Sequence, residues 1–143
     1  MIISGAHTLP VPPARAWELL QDPVVLARCM PGCEALEPGG PDEYRMKMKM
    51  ALSAFSGLFD GKVRIAEKNP PVSYRLLVEG TGRIGFMNGQ GLLTLSAAEP
   101  GTTVKFEGEV HVGGTIAAVG QRLLDTTARM MIKRFFDKLA AEA

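Results

Sequence analysis

Glu43-Tyr44-Arg45-Met46-Lys47-Met48-Lys49-Met50-Ala51-Leu52 is the stretch on which the fold turns. Successive side chains of an extended chain point to opposite faces, so Tyr44, Met46, Met48, Met50 and Leu52 fall on one side and Arg45, Lys47 and Lys49 on the other. Strict alternation of this kind predicts a strand with one buried face and one wet face. Working outward, Ser53 to Gly57 reads as a link into a second alternating strand, Gly61 to Lys68, which Asn69-Pro70-Pro71 ends. Ser73 to Gly80 and Gly91 to Ala97 read as further strands, with Pro100-Gly101 as a turn before Thr102 to Val112. In that last strand Val104, Phe106, Gly108, Val110 and Val112 share one face; Lys105, Glu107, Glu109 and His111 take the other.

The two ends of the chain read differently. Met1 to Leu9 has room for one strand. Proline is tolerated in a first helical turn, and Ala14 to Leu20 is rich in helix formers, which predicts a short helix over 13–20 with Trp17 and Leu20 on its buried face. Asp22-Pro23 has the form of an N-cap followed by proline, and starts a second short helix that runs to about Arg28 before Pro31-Gly32. After Gly113-Gly114 the period becomes helical: Leu124, Ala128, Met131, Phe135 and Leu139 recur on one stripe, Val119, Leu123, Thr127 and Met130 on a second. Arg122, Arg129, Lys133 and Lys138 cover the remaining arc, which predicts one amphipathic helix over 115–141. Strand, two short helices, a meander of about six strands and a long helix make an α+β domain, a single antiparallel sheet with its helices on one face. The whole of 1–143 reads as one domain. A curved sheet and a long helix do not match in curvature, so a cavity between them is expected.

Composition excludes more than it identifies. Of 143 residues, 46% are hydrophobic and 22% charged, the balance of a globular domain rather than a disordered one. Sixteen basic and fifteen acidic side chains leave a net charge of +1, without the basic excess of a nucleic-acid binder. Cys29 and Cys33 cannot build a disulfide framework, and His7 and His111 are too scattered to complete a zinc site with them. Met1 to Pro13 has neither a basic leader nor an unbroken apolar run, and no segment approaches the ~20 apolar residues of a membrane-spanning helix. The cytosol is the expected compartment.

Few residues suggest chemistry. Gly80-Thr81-Gly82-Arg83-Ile84-Gly85 matches G-x-G-x-x-G, but a dinucleotide site needs the last glycine to open a helix, and here the chain leads into a strand. A glycine-rich bend is expected instead. Cys29-Met30-Pro31-Gly32-Cys33 has three residues between its thiols, neither the redox spacing nor half of a zinc pair, and its cysteines read as small apolar residues. His111 lies on a polar strand face. His7 shares the inward side with Ile3 and Leu9 and reads as a hydrogen-bonded core histidine. No nucleophile elbow and no inward pair of carboxylates is present, so no catalytic residue and no metal ligand is assigned. The informative feature is apolar: Met46, Met48 and Met50 on one face, then Phe55, Phe59, Phe86 and Met87. Methionine adapts to irregular cavities and greasy ligands, and equally to ordinary core filling. The opposite basic face (Arg45, Lys47, Lys49, Lys62, Arg64) is solvated or meets an anionic membrane surface.

The segment Val11 to Pro23, closed by Met30-Pro31-Gly32-Cys33-Glu34, resembles the opening of START-like (SRPBCC) helix-grip proteins, and among them the CoxG family of carbon monoxide dehydrogenase. Phe59-Asp60-Gly61, the glycines from Gly80 to Gly91, and Gly113-Gly114-Thr115-Ile116-Ala117-Ala118-Val119-Gly120 leading to Phe135-Phe136 extend the likeness over essentially the whole chain. The resemblance implies a helix-grip fold, a curved seven-stranded antiparallel sheet around the C-terminal helix with an apolar tunnel between them. It implies an accessory, non-enzymatic role beside a carbon monoxide dehydrogenase or related molybdenum hydroxylase. It also implies a quinone or other lipid-like molecule in the tunnel, no covalent cofactor, and peripheral contact with the inner face of the membrane. Many members carry a membrane-anchoring C-terminal extension, whereas this sequence stops at Ala143, which favours a shuttle or a soluble accessory factor.

Residues expected to line the hydrophobic ligand are Met48, Met50, Phe55, Phe59, Phe86, Met87, Phe106, Val119, Leu123 and Met130. Two other readings stay open. A ligand-free interaction or maturation factor for the metalloenzyme would have its interior filled by Met46 to Met50 and the helix. A cyclase- or hydrolase-like helix-grip enzyme would need an acid or base inside, for which only His7 offers itself.

Overall fold

A computed structural model describes every residue except Ser53 and Ala54, and every side chain except those two and Ala51, Leu52 and Phe55. Proline starts both short helices, as its fixed φ and missing N–H allow. Pro13 opens α1 (Pro13–Gln21), and Pro23 opens α2 (Pro23–Cys29), where the Asp22 carboxylate accepts the Val24 N–H at 2.9 Å. The strands are β1 (Ile2–Leu9), β2 (Cys33–Gly40), β3 (Glu43–Leu52), β4 (Phe55–Asn69), β5 (Ser73–Gly82), β6 (Gly85–Ala98) and β7 (Gly101–Gly113). They form one seven-stranded antiparallel sheet in the order β1-β7-β6-β5-β4-β3-β2. A 3-10 turn (Thr115–Val119) leads into the long C-terminal helix α3 (Gln121–Glu142).

Three elements differ from the sequence expectations. β2 has no alternating pattern to announce it; Pro38, Gly39 and Gly40 obscure it, and its pairing with β3 contains two irregularities. The glycine motif is a tight β5–β6 connection, with Gly82 opposite Gly85, so both strands reach further into it than the apolar runs suggest. The helix predicted over 115–141 starts only at Gln121, because Gly120 sits at φ 93°, a left-handed conformation that a right-handed helix cannot run through.

Register decides what faces α3. Rows of laterally paired residues share a face: Met48, Phe59 and Gly82; Met46, Gly61, Gly80, Met87 and Val112; Tyr44, Val63, Val78, Gly89 and Val110; Ile65, Leu76, Gly91, Gly108 and Ile3. The apolar members of these rows pack inward, in agreement with the alternation read from Tyr44 to Met50. The core they build has two parts. The larger joins Leu9, Ala16, Leu19, Leu20, Val25 and Cys29 to Ile65, Tyr74, Leu93, Leu95 and Val104, and to Phe135, Phe136 and Leu139 of α3. The smaller consists of Met48, Phe59 and Ile116, with Met46, Met50, Ile84, Val112, Leu123, Leu124 and Met131 around them.

Candidate functional site

Between the two core clusters lies a band with little side chain in it. From the sheet it presents Gly61, Gly80, Gly89, Gly91 and Gly108, all on the α3-facing side by register. From α3, the helical turn that separates Leu124 from Met131 and Phe135 offers Thr127 and Ala128. A Cβ placed on Gly80 would meet only Met87 Cγ at 3.6 Å and the Asp60 carbonyl at 3.9 Å, and no atom of the helix within 4 Å. Around this floor, Met46, Val63, Leu76, Val78, Met87, Val110 and Val112 are half-buried, although all face the helix. Close-packed interiors leave few voids larger than a water molecule, so inward-facing side chains that remain accessible mark unfilled space.

The space is apolar in its chemistry. By register, the described inward positions of β1 and β3 to β7 carry no Asp, Glu, Lys or Arg, and the ionisable side chains there are His7, Tyr44 and Tyr74. Tyr74 is buried, its ring edge-on to Trp17 with centroids 5.4 Å apart. His7 is stacked on Phe136 at 4.7 Å and on Phe106 at 6.0 Å. Burial lowers its pKa from the ordinary 6.5, and Asp137 opposes this while Lys133 adds to it. It is a stacked, neutral ring rather than the hydrogen-bonded core residue expected.

Of the predicted lining residues, Met48 and Phe59 are buried in the smaller cluster, Met50 and Leu123 pack against it, and Met87 sits at the rim of the glycine floor. Phe106 covers Gly5, whose added Cβ would lie 2.9 Å from the ring, and Val119 is half-buried in the 3-10 turn. The Phe55 side chain lies outside the described residues. Two expectations fail. Phe86 neighbours Met87 on one strand, so only one of them can point inward; Phe86 points outward and is 47% exposed. Met130 sits at the edge of the helical stripe and is 43% exposed. The inner glycines are absent from the expected lining, although their spacing of two at Gly80/Gly82 and Gly89/Gly91 marks positions on one strand face.

The two cysteines belong to the frame. Cys29 donates to Glu142 Oε2 at 3.0 Å while Arg28 Nε donates to Glu142 Oε1 at 3.0 Å, which ties α2 to the end of α3. Burial, then the Glu142 contact, pushes the Cys29 thiol up to about 12. Among the described residues no cluster of His, Cys, Asp or Glu could hold a metal ion, and no helix is long and apolar enough to cross a membrane. Two open grooves of about 720 and 440 Å³ lie on the outer face of the sheet. Lys47, Asp60, Lys62, Glu79 and Asn88 line the first of them. They are charged and solvated, unlike the inner band.

A seven-stranded antiparallel sheet folded against a long C-terminal helix, with an apolar glycine-floored space between, defines a START-like helix-grip protein. The family model for CoxG, the G-type subunit of carbon monoxide dehydrogenase, matches residues 5–143, and the chain belongs to that family. A conserved protein from Geobacillus kaustophilus, of known crystal structure, is 33% identical with a TM-score of 0.95, over 99% of this chain and 94% of that one. A protein from Chromobacterium violaceum is 20% identical with a TM-score of 0.71, over 98% and 95%. The Zhui aromatase/cyclase from a Streptomyces species shares the fold at 12% identity and a TM-score of 0.67, over 99% and 92%. No curated protein matches the chain.

Proposed function

We propose that this protein is a non-enzymatic carrier that holds a hydrophobic small molecule between the sheet and α3, as an accessory to a carbon monoxide dehydrogenase or related molybdenum hydroxylase. The observation that carries the reading is the floor at Gly80, where a side chain would meet nothing from the helix. Family membership supports the accessory role, and the lack of acids and strong bases along the inner rows supports carriage rather than catalysis. An isoprenoid quinone fits the chemistry. Its flat ring would lie on the glycines, and its tail would run against Met48, Met50, Met87 and Leu123. Apolar burial at ~25 cal/mol per Å² supplies affinity without a strong polar contact. Phe59, Phe106 and Val119 complete the proposed wall, and delivery takes place at the membrane surface, where such a molecule resides.

The test is to titrate the protein with a short-chain menaquinone and follow native mass and thermal unfolding. A 1:1 adduct is expected. At about 100 times Kd, the linkage contribution of about 2.7 kcal/mol should raise Tm by roughly 5–10 °C. Absence of both adduct and shift would overturn the carrier and leave the ligand-free interaction factor.

A further inference from the structure

At one end of the sheet the β3–β4 hairpin, the β5–β6 turn, the end of β7 and the 3-10 turn converge. A Cβ on Gly57 would lie 3.7 Å from Ile84, whose carbonyl accepts the Ile116 N–H at 2.6 Å; the Phe86 ring covers Gly113 so closely that no side chain fits there. Two apolar side chains stand out in solvent on this end, Leu58 at 57% and Phe86 at 47% exposed. Lys49, paired with Leu58 across the hairpin, Arg83 in the turn and Arg122 at the start of α3 are also exposed, and none is in an ion pair among the described residues.

The charge here is of one sign. Residues 48–59, 80–98 and 110–124 contain no aspartate or glutamate. The nearest carboxylates stand back toward the body of the sheet: Asp60 opposite Lys47, and Glu34 at the β2 bulge. Asp125 is occupied by Arg129 at 2.9 Å. Further along the outer face the signs mix, with Lys62 3.9 Å from Glu43 and Glu37 laterally paired with Arg45, so that area offers an anionic surface no net attraction. Exposed apolar side chains within an unbalanced basic ring match the two layers of an anionic bilayer surface, acyl boundary and headgroup phosphate.

We propose that this end of the molecule docks on an anionic lipid bilayer, with Leu58 and Phe86 entering the headgroup–acyl boundary and Lys49, Arg83 and Arg122 facing the lipid phosphates. The docking rests on membrane delivery as proposed for the carrier, but requires nothing to occupy the inner space. Each basic residue near such a surface contributes about 1 kcal/mol, about fivefold in partitioning, and the contribution is screened by salt.

Flotation with vesicles of phosphatidylcholine and phosphatidylglycerol, compared with phosphatidylcholine alone, tests it. The protein should float with the anionic vesicles only, and lose this as salt is raised. Combined Arg83→Glu and Arg122→Glu should lower partitioning at least about tenfold, and combined Leu58→Ser and Phe86→Ser severalfold, with unchanged circular dichroism. Arg64→Glu, elsewhere on the outer face, should have no more than about a twofold effect. No flotation of the wild type overturns both the docking and membrane delivery. Flotation that the end variants retain, or that Arg64→Glu removes equally, overturns this surface alone. Variants that bind vesicles normally but no longer retain the dehydrogenase in a pull-down assign the end to a protein partner instead. The menaquinone adduct, measured by native mass on the same samples, reports the carrier reading separately.

Discussion

The two halves of the space under the sheet are built on opposite rules. Around Leu9, Leu20, Val104 and Leu139, all at or below 2% exposure, α1, α2, the sheet and α3 interlock with no gap. Across Gly61, Gly80, Gly89, Gly91 and Gly108 the same sheet faces the same helix and shows it almost no side chain. Both halves belong to one fold, so the difference is a matter of residue choice, and it separates what stabilises the protein from what leaves room inside it.

The sharpest way to break this contrast is at the packed end. Leu139→Ala should cost about 3 kcal/mol in urea unfolding, since a fully buried leucine leaves a cavity that its neighbours only partly close. A loss below about 1 kcal/mol would mean that this end is not the mechanical anchor of the fold.

Titration gives the next effect, of intermediate size. The folded-state pKa of His7 lies below the ordinary 6.5, so the unfolded chain binds more protons there, and stability falls as pH drops through 6.5 and below. His7→Phe, which keeps the stack with Phe106 and Phe136, should flatten that acid limb. The Cys29 thiol works in the opposite sense. Its pKa is raised from 9.0 to about 12, so the folded state holds the proton more tightly, and stability falls as pH rises above 9.0. Urea midpoints measured across pH on His7→Phe and Cys29→Ala check both limbs.

The smallest expected change in stability is at the glycine floor. Gly80→Leu should alter it by less than about 1 kcal/mol, because its Cβ makes only ordinary contacts, yet it should weaken menaquinone binding at least tenfold by filling the space. Gly61→Ala sharpens the comparison at the laterally paired position. Its Cβ would lie 2.6 Å from the Glu79 carbonyl oxygen, so it should destabilise more than the larger Gly80 substitution does.

Much of this architecture is legible in residue order. Alternation from Tyr44 to Met50 yields both the strand and its inner face, and proline at 13 and 23 marks the two short helices, because each signal is local. β2 is not legible: an edge strand with Pro38, Gly39 and Gly40 takes its shape from its partner β3. The true start of α3 depends on a single backbone angle at Gly120. At the site, the methionine face can be read directly, whereas the chemistry of Phe86 suggests a lining role that its parity with Met87 forbids. The glycines read only as a bend, because an absent side chain becomes a feature only when the facing helix is known.

The Cys29–Glu142 contact has a chemical consequence for a protein that carries quinones. Quinone rings are electrophiles, and their usual casualty is a neighbouring thiolate, which adds to the ring and ends the life of both partners. With its pKa at about 12, Cys29 is ionised at neutral pH on the order of once in 10⁵ molecules, and burial raises Cys33 as well. Both sulfurs of this chain are therefore poor nucleophiles, and a reactive cargo can be shuttled past them without arylating its own vehicle.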